Sequence, residues 1–143
     1  MPHVRLTRHF HFSASHRLHA PALSAEENRR VFGKCNNPHG HGHNYVLGVT
    51  VEGEVNLVTG QVVHPGELEA VVRAAVLDDY SYKYLDQDLA DFATMTATAE
   101  NMASNVRDRL LAAWPAGFPA LAQVRIQETK RNVIDLPVIE ETV

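Results

Sequence analysis

Two segments of the chain alternate between apolar and polar residues, and this pattern constrains the fold more than any other feature. In residues 4–18 the even positions carry mostly apolar side chains, and His16 lies on that apolar face. In residues 41–51 the odd positions carry two histidines and then apolar side chains. Because successive side chains of a strand point to opposite faces, both segments are predicted as strands with one buried face.

The rest of the chain is predicted to supply two helices and shorter strands. Apolar residues at helical spacing predict one helix over residues 65–78, with Pro65 in its first turn, and a second over 99–114, with Thr98 as its cap. Further strands are predicted over residues 61–64, 122–129 and 133–139, and irregular connections over 20–42 and 79–95. We expect a single α+β domain over residues 1–143, with both helices on one face of an antiparallel sheet.

Charge and composition exclude several kinds of partner. The 143 residues carry 13 Lys and Arg against 17 Asp and Glu, a formal net charge of −4, and no basic run. This balance argues against nucleic acid and against anionic membrane surfaces. No stretch approaches the roughly 20 apolar residues of a membrane span, and the first residues lack the apolar core of a secretory signal. We expect a cytoplasmic protein with neither nucleic acid nor membrane as a partner.

The histidines are unevenly placed, because all nine lie between His3 and His64. His41 and His43 are two apart on a predicted strand, so both side chains leave the same face, roughly 6 to 7 Å apart at the backbone. His16 ends the apolar face of a strand that can pair with this one. A catalytic zinc ion commonly takes three protein ligands and leaves a fourth position open. The spacing leaves two interpretations open, a zinc site and solvated histidines at strand ends.

Two further residues stand out. Cys35 is the only cysteine, so it makes no internal disulfide; it is either an inert buried side chain or, near a metal ion and Lys34, a thiolate base or nucleophile. Glu128 continues the apolar face of Val124 and Ile126, where an unpaired carboxylate is costly. It either ends the strand in solvent or accepts hydrogen bonds from the amidine-like edge of a heterocycle.

Several motifs together resemble the 6-pyruvoyltetrahydropterin synthase family. The resemblance covers nearly the whole chain, and the six-residue step from Cys35 to His41 resembles the tetrahydropterin synthase branch rather than the related 6-carboxytetrahydropterin synthases. Its motifs are Phe12-Ser13-Ala14-Ser15-His16, Phe32-Gly33-Lys34-Cys35-Asn36-Asn37-Pro38, His41-Gly42-His43-Asn44-Tyr45, Glu100-Asn101, and Glu128-Thr129 with Asn132.

This resemblance implies a fold, a cofactor and a reaction. The fold is the T-fold, a four-stranded antiparallel sheet with two helices on one face, assembled as a homohexamer of two trimers with active sites between subunits. The cofactor is zinc on His16, His41 and His43. The reaction is elimination of triphosphate from 7,8-dihydroneopterin triphosphate with rearrangement of the side chain. Cys35 moves protons, and the substrate-binding residues are Glu128, Thr98 and Glu100.

In the family, an Asp-His pair from a neighbouring subunit helps the cysteine to act as a base. This chain departs from the family pattern at that pair. The ungapped match places Ser81 and Tyr82 there, and a gapped match offers Asp78 or Asp79, so no histidine is restored. Tyr82 is a candidate proton-transfer residue, although an unperturbed phenol with a pKa of about 10 is a poor base; the alternative is packing at a subunit contact. Three functions are compatible with these residues. The first is a lyase whose proton relay is altered or weakened, and the second is a zinc-containing pterin-binding protein without turnover. The third is an enzyme that makes another product, such as 6-carboxytetrahydropterin or a side-chain-cleaved pterin.

Overall fold

A four-stranded antiparallel sheet forms the centre of the protein, whose computed structural model describes residues 2–139. The strands lie side by side in chain order. They are β1 (His3–His16), β2 (His41–Glu54), β3 (Ala120–Thr129) and β4 (Asn132–Pro137). The predicted alternation is confirmed, because Phe10, Phe12, Ala14 and His16 of β1 are buried on one face. From β2 the same core receives Tyr45, Leu47, Val49 and Val51.

Helices cover the apolar face of this sheet, as predicted. The long helical segment between β2 and β3 consists of α2 (Pro65–Val72), a π-helical turn (Arg73–Leu77) and α3 (Asp78–Tyr80). After it come α4 (Leu85–Asp88), a 3-10 turn (Ala90–Phe92) and α5 (Ala99–Ala113). Thr98 caps α5 by accepting a hydrogen bond from the Asn101 backbone N–H, as its sequence position indicated. None of the helices in residues 2–139 combines the length and the apolar character that crossing a bilayer requires.

The segment predicted as an irregular loop over residues 20–42 contains a helix, α1 (Ala25–Phe32), followed by a 3-10 turn (Gly33–Asn36). Ser24 caps the start of α1: the Glu27 backbone N–H donates to Ser24 Oγ, and Ser24 Oγ donates to Glu27 Oε1, both at 3.1 Å. This S-x-x-E signal was present in the sequence, so the prediction of an irregular segment was wrong for α1.

Three other predictions need correction. Residues 61–64 form a bend rather than a strand, because the His64 ring caps α2 by accepting hydrogen bonds from the next backbone N–H groups. The connection over residues 79–95 contains short helical turns. β4 ends at Pro137, opposite Gln123, rather than at residue 139, although the Val138 N–H still donates to the Ala122 carbonyl oxygen at 2.9 Å.

A charged network fastens α5 to the π-helical turn. Arg109 donates to both carboxylate oxygens of Asp91 at 2.9 Å and to Asp79 at 2.6 Å. It also donates to the Ala75 carbonyl oxygen at 3.1 Å, which lies in the π-helical turn, where the regular ladder of helix hydrogen bonds is altered. The hydrogen bonds from Arg109 lower the pKa of Asp91 from 3.8 to about 2.

We predict that Asp91→Asn destabilises the protein in a pH-dependent way. Since the folded pKa of Asp91 lies below its unfolded value, its contribution to stability is present above about pH 4 and is lost as the pH falls towards 2. The carboxylate is 22% exposed, so we expect a loss of about 1 to 2 kcal/mol near neutrality, which urea unfolding at several pH values would measure.

The matched control is Asp108→Asn, which removes the 63% exposed partner of Arg107. Its effect on the free energy of unfolding should be small and nearly independent of pH. A loss in Asp91→Asn that stays constant from pH 7 to pH 2 would contradict the assignment.

Candidate active site

His16 is the buried centre of the site, and its tautomer is set by the backbone of a distant segment. It is the last residue of β1 and is fully buried. Its Nδ1 lies 2.8 Å from the Ala97 carbonyl oxygen, which accepts the Nδ1–H. This hydrogen bond leaves the lone pair on Nε2, at the end of the sheet. A ring N–H held by a backbone carbonyl is the usual support of a metal-binding histidine.

His43 and Cys35 complete a tight group of possible ligands around this nitrogen. His43 Nε2 lies 3.1 Å from His16 Nε2, and these two nitrogens and Cys35 Sγ all lie within 4.8 Å of one another. Two imidazole nitrogens bound tetrahedrally at 2.0 to 2.1 Å to one zinc ion would be about 3.3 Å apart. The donor set and its spacing are therefore compatible with a metal site.

His41 lies beside this group rather than within it. It is the Cα partner of His16 in the β1–β2 ladder, and its ring centroid is 4.5 Å from that of His43. The side chain is half-buried at the start of β2. The structure therefore brings all three predicted histidines to one end of the sheet, and Cys35 occupies the third place in the tightest group.

Burial and neighbouring charges act on the protonation of two groups in the site, His43 and Cys35. Burial, with the charges of His16 and His41, lowers the pKa of His43, while the Glu128 carboxylate acts in the opposite direction. Burial and then Glu128 raise the pKa of the Cys35 thiol. Lys34, which was expected to favour the thiolate, is exposed to solvent. In the protein alone the dominant influences thus favour the neutral Cys35 thiol and the neutral His43 imidazole. A metal ion binds that form of imidazole, whereas it binds cysteine as the thiolate.

Glu128 continues the inward face of Val124 and Ile126 and lies at an irregularity in the sheet. The β3–β4 pairing shifts between Gln127 and Thr129, so Glu128 has no partner residue in β4. Its side chain is only 12% exposed, and Oε1 lies 4.0 Å from His43 Nε2. Asn132 Nδ2 donates to the same oxygen at 3.4 Å. The interpretation of Glu128 as a solvated strand end does not hold, and a carboxylate faces the histidine cluster.

The entry of the chain into β2 depends on a close contact. Gly40, just before His41, has a φ of 82°, and a Cβ atom there would lie 2.7 Å from Cε2 of the Tyr84 ring. Glycine is required at this position for both reasons.

The other predicted site residues have different surroundings. Thr98 caps α5 next to Ala97, and Glu100 is exposed in the first turn of α5. Tyr82 is 90% exposed and has a φ of 61°. It borders a cavity with Ser13 and Asn44, whose hydrogen-bonded side chains lie on the face of the sheet opposite to the cluster. Asp78 is exposed, and Asp79 pairs with Arg109.

Sequence reasoning missed two contributions to the site. The Ala97 carbonyl that orients His16 comes from a backbone atom, for which a sequence carries no signal. Asp86 accepts a hydrogen bond from the Arg17 backbone N–H at 2.7 Å and so fixes the residue after His16. Its other oxygen, Oδ1, is buried and has no hydrogen-bond partner within residues 2–139.

Comparison with known proteins identifies a family and similar chains. The family model described as 6-pyruvoyl tetrahydropterin synthase matches residues 5–137. The 6-pyruvoyl tetrahydrobiopterin synthase of Poecilia reticulata is 43% identical over 129 residues, covering 90% of this chain and 86% of that protein. The enzyme of that name from Homo sapiens is 42% identical over 131 residues, covering 92% and 89%.

A solved structure shows the same fold. The 6-pyruvoyl tetrahydropterin synthase of Caenorhabditis elegans superposes with a TM-score of 0.88 at 38% identity, covering 97% of this chain and 98% of that one. Together with the sheet and helices described above, these matches confirm the predicted family and its fold. The chain belongs to the 6-pyruvoyl tetrahydropterin synthase family.

Proposed function

We propose that the protein is a zinc-dependent lyase that eliminates triphosphate from 7,8-dihydroneopterin triphosphate and rearranges the side chain, as a 6-pyruvoyl tetrahydropterin synthase does. The observation that carries the proposal is the group of His16, His43 and Cys35 with Glu128 beside it, in a chain about 42% identical to synthases of that name. We include in the proposal a homohexamer with active sites between subunits.

In this proposal His16, His41 and His43 hold the zinc ion. His16 is oriented for this role by Ala97, and His41 is close enough to His43 for a change of side-chain rotamer to bring it to the same ion. Zinc, when bound, polarises an oxygen of the substrate side chain and makes the neighbouring C–H more acidic. Three histidine ligands would leave the site open to the substrate.

Cys35 and Glu128 have separate roles. Cys35, as thiolate, accepts the proton that leaves the side-chain carbon, and the triphosphate departs with the electron pair of its C–O bond. Glu128 accepts hydrogen bonds from the pterin ring and so fixes the distance between the ring and the cluster. Its low exposure strengthens such hydrogen bonds, since few water molecules compete for the carboxylate. Thr98 and Glu100, at the start of α5, contribute to binding the substrate.

The proton relay is the part of the reaction in which this chain differs from its relatives' motif. Ser81 and Tyr82 stand where the family pattern has an Asp-His pair, and the dominant influences on Cys35 in the protein alone raise its pKa. We therefore propose that turnover is weakened or altered. The same observation favours a second candidate function, a zinc-containing pterin-binding protein without turnover.

The first prediction of this proposal concerns the metal ligands. His16→Ala, His41→Ala and His43→Ala should each lose the zinc that the unmodified protein binds at one ion per chain, whereas Cys35→Ala should retain it. Metal analysis measures the zinc, and His39→Ala, an exposed histidine two residues before His41, is the control. If Cys35 is a ligand instead of His41, the cobalt-substituted protein will show a thiolate-to-metal charge-transfer band, and His41→Ala will keep its metal.

The second prediction concerns Glu128. Glu128→Gln replaces an acceptor oxygen by a donor, so pterin binding should weaken by about 1 to 3 kcal/mol. Calorimetric titration with 7,8-dihydroneopterin measures this loss. Glu54→Gln, an exposed glutamate at the far end of β2, should leave the affinity unchanged. Equal affinities of Glu128→Gln and the unmodified protein would rule out this pocket.

The third prediction concerns the relay and tests the function itself. Zinc-loaded protein incubated with 7,8-dihydroneopterin triphosphate should release triphosphate, at a rate about 10² to 10⁴ times below that of relatives with the intact pair. Ser81→Asp combined with Tyr82→His should raise the rate, and Cys35→Ala should abolish it. Product mass identifies the reaction.

Other outcomes of that experiment are equally informative. Absence of turnover with retained pterin binding would favour the binding protein. A full native rate would make the missing pair irrelevant and would make Tyr82 the first alternative relay residue. If the double substitution has no effect while Cys35→Ala abolishes turnover, Asp78 and Asp79 become the next candidates.

A further inference from the structure

A cavity of about 380 Å³ adjoins the histidine cluster, and several of the residues that line it carry basic side chains. Arg17 and His19 lie in the segment that follows β1, Arg29 lies on α1, and Lys34 lies on the 3-10 turn. None of the residues that line this cavity is acidic. Within residues 2–139, no carboxylate lies within 4.0 Å of the charged groups of Arg17, Arg29 or Lys34. In a chain with a net charge of −4, this is a local excess of three formal positive charges.

The walls of this basic cavity are fixed by buried asparagines. Asn36 donates to the Leu18 carbonyl oxygen at 2.7 Å, and the Arg17 Nε donates to the Asn36 carbonyl oxygen at 3.4 Å. Asn28 is fully buried, and its side chain accepts from the Ala20 N–H and donates to the carbonyl oxygens of Ala20, Leu23 and Ser24. The segment after β1 is thereby tied to α1 and to the 3-10 turn. The backbone segments that carry Arg17, Arg29 and Lys34 are therefore held around a preformed space.

The basic cavity reaches the cluster at His41, which lines it, while Glu128 contacts the cluster at His43. A molecule that spans these groups needs a hydrogen-bonding heterocycle at one end and a strongly anionic group at the other. The substrate of the proposed function has this order, since a three-carbon side chain separates its pterin ring from its triphosphate.

We infer that Arg17, Arg29 and Lys34 bind the triphosphate of the substrate and hold its side chain against the cluster. This inference rests on the proposed function. Guanidinium groups bind phosphate oxygens in bidentate fashion and ammonium groups bind them as point charges. Together these residues determine specificity for the phosphorylated pterin over the free one.

The test uses the full chain loaded with zinc and inorganic triphosphate as the first probe. The double variant Arg29→Gln with Lys34→Gln should weaken triphosphate binding about tenfold or more in calorimetric titration, and added salt should weaken binding to the unmodified protein. Affinity for unphosphorylated 7,8-dihydroneopterin should not change. Arg30→Gln, which neutralises the next residue of α1 outside the cavity, is the matched control and should bind triphosphate normally.

Kinetics provide the second readout. For 7,8-dihydroneopterin triphosphate the double variant should raise KM about tenfold or more and leave kcat within about twofold. The single variant Arg29→Gln, with a smaller change in the same direction, keeps the test valid if the double variant unfolds. Unchanged KM and unchanged triphosphate affinity in the double variant, or an equal loss in Arg30→Gln, would overturn the inference.

Failure of the inference and failure of the proposed function give different results. Turnover with a KM that is insensitive to Arg29 and Lys34 would overturn the triphosphate site and leave the lyase intact. Triphosphate binding that depends on these residues, in a protein that does not convert the substrate, would support an anion site here and overturn the lyase.

Discussion

The register between β1 and β2 is the constraint on which the rest of the structure depends. Fourteen residue pairs align these strands from His3 opposite Glu54 to His16 opposite His41. Because side chains alternate between faces, a slip of one residue would move the histidines of one strand to the opposite face of the sheet. The same slip would turn towards solvent the apolar side chains of that strand, which now pack beneath the helices. The burial that selects this register also brings His16 and His43 together. The geometry of the site therefore follows from the pairing of β1 with β2.

The sequence predicted the parts of the structure that follow from periodicity. Alternation located β1 and β2, apolar spacing located the two main helices, and Thr98 was identified as the cap of α5. α1 was missed because its apolar pattern is weak, although Ser24 and Glu27 carried the signal. The inward position of Glu128 followed from strand alternation, but the bulge that leaves it without a ladder partner did not. Burial and the Glu128 carboxylate, which is distant in the sequence, raise the pKa of the Cys35 thiol, and the residues around Cys35 in the chain carry no signal for either influence.

The site draws on elements that are far apart in the chain, which limits what local patterns can reveal. His16 is oriented by a backbone carbonyl 81 residues away, just before α5 begins. The network around Arg109 fastens the same helix to the π-helical turn, so the position of α5 relative to the sheet is held at two places. Mutations in that network that leave every ligand untouched can therefore alter the orientation of His16, because the N-terminal end of α5 moves with the helix.

The contact between Gly40 and Tyr84 has a consequence for how members of this family can diverge. A side chain at position 40 would need both a left-handed backbone and the space that the Tyr84 ring fills. A smaller residue at position 84 would provide only the space. Loss of the Tyr84 ring would also leave a gap against the start of β2. Neither position changes freely alone, so lineages that retain this entry into β2 should show correlated substitutions at 40 and 84. The start of the strand that carries two of the three histidines thus depends on a contact between two residues outside the group of possible metal ligands.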